Sequence, residues 1–195
     1  MHDSTKRPSR GVRSCAALVV AGLTAVLLSG CVGGAAPTPT STPTAPDAAE
    51  PIFASDEEAL AAAEAAYRAF EDVSQTIAMD GGRDADRIRA VATPTYVTQL
   101  LEEFAQYEEL GIRIQGSASL DSFSLVGQEA APDGVVVMMY VCRDVSGVIV
   151  RDVTGADVTP ADRDDRTPLI ASLVADESSQ LLVHEVEQWP GDDFC

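Results

Sequence analysis

The segment Gly134–Arg143, "GVVVMMYVCR", is apolar on both of its alternating sides. Val135, Val137, Met139 and Val141 fall on one parity, and Val136, Met138, Tyr140 and Cys142 on the other. A strand with one solvated face alternates apolar with polar residues, whereas this one must be covered twice. Asp144-Val145-Ser146-Gly147 follows as a turn, with Asp first and Gly last as a type I turn prefers. The spacing predicts that Val148–Val153 pairs back as a hairpin partner. A second hairpin is expected from Leu169–Val174 and Leu181–Trp189 across "ADESSQ". Upstream, Ile112–Val126 reads as one or two strands interrupted at Gly116 and Ser119.

Before Gly111 the apolar period is 3.6 instead of 2. Ser55-Asp56-Glu57-Glu58 is a capping box with acids in the first turn. The helix it opens places Leu60, Ala63, Tyr67, Phe70, Ser74 and Ile77 on one face and ends at Gly81-Gly82. A short helix is predicted over Asp84–Val91. Thr93-Pro94 supplies an N-cap and a first-turn proline for a third, which buries Tyr96, Leu100, Leu101, Phe104 and Tyr107. Helices followed by antiparallel strands make an α+β plan, with the helices on one sheet face. For the other face three covers are expected: another strand layer, the C-terminal tail, or a second copy of the chain pairing through the sheet as a homodimer.

The first 54 residues follow a different logic. Lys6, Arg7, Arg10 and Arg13 precede the apolar run Ala16–Leu28. As a helix that run rises roughly 20 Å, too short for the ~30 Å hydrocarbon core, so it reads as a signal peptide. No consecutive Arg pair is present, which points away from the twin-arginine route. The run ends in Leu28-Ser29-Gly30-Cys31, which resembles the lipobox of bacterial lipoproteins, the competing reading being an ordinary secretory signal. The resemblance implies cleavage between Gly30 and Cys31 and a diacylglyceryl group on the Cys31 thiol. Two acyl chains anchor stably where one binds marginally. The organisation expected is 1–30 signal peptide, 31–54 lipidated N-terminus and linker, and 55–195 globular domain. Localisation is then the extracytoplasmic face of the cell membrane.

Residues Val32–Pro51, "VGGAAPTPTSTPTAPDAAEP", have no large apolar residue beyond the first and are expected to form a disordered tether. In polyproline II form, these residues would reach on the order of 60 Å. Their Thr, Ser and Pro content also suits O-linked sugars. The full chain carries a net charge of -18. Removing residues 1–30 leaves 9 of the 13 basic residues and 30 of the 31 acidic ones, a net of -21 with no lysine. Such a surface repels nucleic acid and anionic head groups, so membrane attachment falls to the lipid.

Cys15 leaves with the signal peptide and Cys31 takes the lipid. Cys142 and Cys195 remain, an even pair in an oxidising compartment, and are expected to form a disulfide. The bridge would stabilise by about 4 kcal/mol on a chain-entropy basis and hold the last residue, which would otherwise fray. A reactive or metal-binding pair is the alternative, disfavoured because His184 is the one histidine after the cleavage site.

The order of elements also resembles a nuclear-transport-factor-2-like (SnoaL-like) domain, in which helices and a curved antiparallel sheet form a cone around a pocket. The residues carrying this are "EALAAAEAAYRAFEDVSQTIAMDGG", "YVCRDVSGVIVRD" and a Trp near the C-terminus. They span about Ser55–Trp189, in a pattern most like secreted or lipid-anchored members from high-GC Gram-positive bacteria. The resemblance implies a pocket, for which Tyr67, Tyr140 and His184 are candidates, with Tyr96 and Tyr107 as further hydroxyls. It maps no catalytic residue. As core aromatics the tyrosines need no function, and His184 reads equally as a surface or packed strand histidine. "DVTGADVTPADRDDR" clusters Asp152, Asp157, Asp162, Asp164 and Asp165, but its spacing is not that of a calcium loop and Arg163 and Arg166 neutralise part of it. No metal or cofactor is expected, and no nucleophile-elbow, zinc-protease, P-loop or dinucleotide signature occurs. Two readings remain. One is a non-catalytic module that binds a small ligand or an envelope protein. The other is a small pocket enzyme doing acid–base chemistry on an apolar molecule, which would need His184 to converge with an acid such as Asp121 or Glu185. Strand parity sets His184 and Glu185 on opposite faces.

Overall fold

Two reciprocal hydrogen bonds open the first helix. Ser55 Oγ accepts the Glu58 amide at 3.1 Å, and the Glu58 carboxylate accepts the Ala54 amide at 3.0 Å, so donors that the helix leaves unpaired are satisfied. The computed structural model describes residues 53–131, 134–175, 180–191 and 194–195. The signal peptide, Cys31 and the Pro/Thr tract expected from the sequence lie outside the described residues.

Helix α1 (Asp56–Met79) buries Ala59, Ala63, Tyr67, Phe70 and Ile77 along one face. It ends through Gly81 and Gly82, whose φ values are 69° and 85°, and whose amides donate to the carbonyls of Ala78 and Ile77. A β-carbon at Gly82 would collide with the Phe104 carbonyl oxygen. Glycine therefore serves twice at this position: it supplies the left-handed backbone and lets the chain approach the next helix. A 3₁₀ turn (Ala85–Ala90) follows. Helix α2 (Pro94–Leu110) then starts on the Thr93-Pro94 pair and stops at left-handed Gly111.

The strands are β1 (Arg113–Gln115), β2 (Ser119–Ala131), β3 (Gly134–Asp144), β4 (Ile149–Arg151), β5 (Arg166–Ala175) and β6 (Leu181–Gln188). Four of them form an antiparallel sheet in the order β2-β3-β5-β6, and β1 pairs with β4 in a separate ribbon. Helices followed by antiparallel strands give the α+β plan expected from the sequence. The second expected hairpin is present as β5 and β6, its connection at 176–179 lying outside the described residues. The first is not. β4 leaves β3 and pairs with β1, Ile114 opposite Val150. Both edges of β3 are already occupied, by β2 (Leu120 opposite Arg143) and by β5 (Val141 opposite Leu169). Ten residue pairs with β5 outweigh the three that β4 could offer. Arg163 fixes the departure, donating to the carbonyls of Val148 at 2.9 Å and Val145 at 3.0 Å.

The two sides of β3 are covered differently. Val137, Met139 and Val141 are fully buried with Ala171, Leu173 and Val183 against the helices. Full burial of one such side chain is worth about 1.5–3 kcal/mol, so this face dominates the core. On the other side the Tyr140 ring lies 4.9 Å from Trp189 and 5.2 Å from Phe194. A disulfide joins Cys142 to Cys195, with their Cα atoms 5.5 Å apart. The tail is thus the cover over this end of the sheet. Arg166 adds to it, bonding Asp121, Asp144 and the Cys195 carbonyl. Two register shifts in β2, between Asp121 and Ser124 and between Leu125 and Gly127, bend that strand around α1. There the Arg68 guanidinium rests 4.6 Å from the centre of the Phe123 ring.

Because the bridge spans 53 residues, the Cys195→Ala protein should lose about 4 kcal/mol of unfolding free energy. Urea titration followed through Trp189, the chain's single tryptophan, reads this directly. An unchanged midpoint would mean that the tail adds nothing to the fold.

Candidate functional site

The face of α1 that carries Tyr67, Phe70, Glu71, Ser74 and Gln75 repeats at three- and four-residue intervals, as does Tyr96, Leu100, Glu103, Phe104 and Tyr107 on α2. These two stripes look across at Arg143, Thr167, Leu169 and Val186 of the sheet and line an open cavity of about 500 Å³. Val145, Val148 and Val150 contribute apolar wall from the turn and β4. The aromatic rings form a chain along it. Phe70 lies 5.9 Å from Tyr67 and 6.0 Å from Tyr96, and Phe104 lies 6.4 Å from Tyr107, within the range at which rings attract.

Charged groups punctuate this apolar lining. Glu71 is 5% exposed and accepts the Arg143 Nε–H at 2.8 Å. The Arg143 side chain is 35% exposed, and its terminal nitrogens make no hydrogen bond with the described residues. A carboxylate so deeply placed requires its partner, since an unpaired buried charge is far costlier than a buried pair. Gln75 closes one end by accepting the Ala118 amide at 2.9 Å. Ser74 Oγ is fully buried with no partner among the described residues. That arrangement costs about 1–3 kcal/mol in an apolar site. Arg163 is occupied by the Val145 and Val148 carbonyls and by Asp165.

Burial pushes the Tyr67 hydroxyl well above the ordinary tyrosine range, and the Glu71 carboxylate adds to the shift. Burial, then Glu103, pushes Tyr96 up to about 12. Tyr107 is raised by burial as well, against an opposing pull from Arg143. These phenols stay protonated at neutral pH and act there as hydrogen-bonding groups, not as bases.

Of the residues singled out in the sequence, Tyr67, Tyr96 and Tyr107 line this cavity. Tyr140 and His184 do not. Tyr140 has even parity on β3 and points to the opposite face, where the tail covers it. His184 sits where β6 shifts register beside the Ala92–Val183 bridge, its Nδ1 3.1 Å from Thr93 Oγ1. His184 meets neither acid considered with it. Asp121 is paired with Arg166 at 3.0 Å and Glu185 is exposed. In the acidic segment Asp152 accepts from the Thr154 hydroxyl and the Ala156 amide, and Asp157 from the Thr159 amide. These hydrogen bonds hold both carboxyls below the usual range. Such aspartates shape turns. No group of three or more His, Cys, Asp or Glu able to hold a metal ion occurs among the described residues.

Sequence reasoning passed over Glu71 and Arg143, although a signal for each existed. Glu71 is four residues after Tyr67 and so shares its helical face. On β3 the odd-numbered series Val135, Val137, Met139 and Val141 extends to position 143, which aims the Arg143 guanidinium inward.

No protein-family model and no curated protein matches the chain. Among solved structures, the intermembrane space region of the chloroplast protein ARC6 is similar, with 10% identity and a TM-score of 0.50 over 68% of this chain and 97% of that one. A structure from Catenulispora acidiphila in complex with S-DNPA has 14% identity and a TM-score of 0.39, covering 66% of this chain and 94% of the other. At 10% identity the likeness to the ARC6 region is one of fold alone.

Raised phenol pKa values fix the sign of a pH effect. An unfolded chain gives up its tyrosine protons near pH ~10 while the folded one retains them, so stability falls as pH climbs beyond that point. Absorbance of phenolate should show Tyr96 half-ionised at about 12, with Tyr67 later still. In urea the tyrosines should titrate together at their ordinary value. Coincident folded and unfolded curves would remove the buried placement of these hydroxyls.

Proposed function

We propose that the chain is a lipid-anchored protein of the extracytoplasmic membrane face, whose α+β domain binds a small ligand without transforming it. The observation that carries the binding half is the cavity: apolar and aromatic side chains interleaved with about as much polar surface, and a volume of about 500 Å³, which suits a small molecule. The anchoring half rests on Leu28-Ser29-Gly30-Cys31 behind a basic, short apolar leader. The Cys142–Cys195 bridge is in keeping with an oxidising compartment. Helices on one face of a bent sheet, with the cavity between them, are what a cone-shaped nuclear-transport-factor-2-like domain would present, and we take that as the finer reading of the fold.

Binding is favoured over acid–base catalysis by the state of the cavity's groups. Its tyrosines have raised pKa values, Glu71 is held by Arg143, and His184 lies at the sheet edge. A base poised near neutrality is what such a reaction would need. Val136, Met138, Ile170, Val174 and Leu182 are half-buried on the sheet face away from the helices. They are the surface through which an envelope protein or a second copy would pair.

Replacing Cys31 by alanine should abolish incorporation of an alkyne-tagged fatty acid and move the protein from the membrane to the aqueous fraction. Continued fatty-acid labelling of that variant would refute the anchor. For the cavity, amide and methyl shifts under a mixture of small apolar compounds should cluster on Phe70, Leu100 and Phe104. Shifts confined to the outer sheet face would point to the surface instead.

A further inference from the structure

The ribbon of β1 and β4 sets two positive charges against each other. Arg113 stands directly opposite Arg151 in its register, so both side chains leave the same face, their β-carbons about 5 Å apart. Like charges so placed oppose strand pairing. Arg151 is partly accommodated: its Nε–H donates to Gln115 at 3.1 Å, and Asp157 lies 4.0 Å from its Nη1. Arg113 is exposed, and its side chain makes no hydrogen bond with the described residues. Of the nine arginines beyond Cys31, seven lie within 4.0 Å of a carboxylate among the described residues; Arg83 and Arg113 do not. In so acidic a chain, an arginine without a carboxylate is the exception.

The same face of the ribbon opens a groove of about 650 Å³. Arg113 and Arg151 are its charged groups, Gln115 adds a polar one, and Met79 and Ile114 give it an apolar edge. No acid lines it among the described residues. A β-carbon placed on Gly155 would meet nothing within 4 Å, so the mouth is unobstructed there. The adjoining groove, where Arg113 meets Arg83, does carry acids: Asp80, Glu108 and Asp152. Asp80 is bound to Arg87, and Asp152 accepts from Thr154 and Ala156. Glu108 and Arg83 remain there as one acid and one base.

A guanidinium only donates, in a planar fork that fits two oxygens of one oxyanion. Two forks on one ribbon face call for about two negative charges, and Asp157 relieves them only from the limit of ion-pair range. A carboxylate brings one charge and two oxygens, enough for a single fork. A phosphomonoester brings a charge of about −1.5 to −2 at neutral pH and three oxygens. It engages both arginines and removes the repulsion between them. We infer that the β1–β4 groove binds a phosphomonoester, Arg113 and Arg151 donating to its oxygens while Met79 and Ile114 flank its organic part. Because the rest of the surface repels anionic bilayers, the ester arrives on a soluble molecule. This site lies outside the cavity between helices and sheet and does not depend on what that cavity binds.

The test titrates phenyl phosphate into the full chain carrying Cys31→Ala, which has no acyl chains, at neutral pH and low salt. The amide NMR signals of Gly116 and Gly155 and the Nε–H signals of both arginines should shift saturably, and less so as salt rises. Benzoate should bind about tenfold more weakly. Arg113→Glu turns the opposed charges into an ion pair, so its urea midpoint should equal or exceed that of the parent while phenyl phosphate binding falls about tenfold or more. Arg113→Gln should fold as well and weaken binding about fivefold. Benzoate held as tightly as phenyl phosphate overturns the selection for a dianion. Equal binding of phenyl phosphate by the parent and both variants, or no binding by the parent, overturns the site. A lower urea midpoint in both variants makes Arg113 a support of the fold and removes the repulsion on which the site rests. Vesicles of phosphatidylcholine and phosphatidic acid that sediment the parent but not Arg113→Glu overturn the soluble source and assign the phosphate to a lipid head group.

Discussion

A strand that is apolar on both faces has no stable place at a surface, and β3 imposes that condition on the rest of the domain. Its odd-numbered side chains take the helices as their cover. On the even-numbered side, Tyr140 is met by Trp189 and Phe194, and Cys142 is tied to Cys195. Its edges are equally committed, with β2 along one and β5 along the other. With both edges filled, the next segment has nowhere to pair on β3. That is why β4 crosses to β1 and builds the ribbon whose Val150 closes the cavity wall.

Local signals were readable because each is decided within a few residues. The capping box at Ser55, the Gly81-Gly82 stop, the Thr93-Pro94 start and the β5–β6 hairpin all depend on near neighbours. The partner of β4 was not readable, because it turns on competition between segments far apart in the chain. The turn at Asp144 looks like a hairpin by its residues, yet Arg163, well beyond Gly147 in the chain, decides the direction in which the chain leaves it. The cysteine pair could be matched by elimination, a matter of compartment instead of geometry.

The site divides along the same line. Tyr67, Tyr96 and Tyr107 follow from helical periodicity, since a residue on the buried stripe must face whatever space the helices enclose. Tyr140 shows the limit of residue type as a guide: strand parity places it away from that space. Glu71 was hidden by its charge. An acid on an apolar stripe looks like a boundary residue until the arginine that neutralises it is found 72 positions later. Patterns of one side chain type cannot reveal a pair whose members each make sense only together.

The insertion of β5 between β3 and β6 has a temporal side. During synthesis β2 and β3 emerge before β5, which is separated from them by about twenty residues of turn, β4 and loop. Through that interval one whole edge of the most apolar strand is open, and so is the face that the tail later covers. A nascent chain halted there would present an unpaired, hydrophobic strand edge, the hazard that promotes intermolecular pairing. The sulfur crosslink comes later still, after both closing strands, so it secures a finished sheet and offers no protection to the unfinished one.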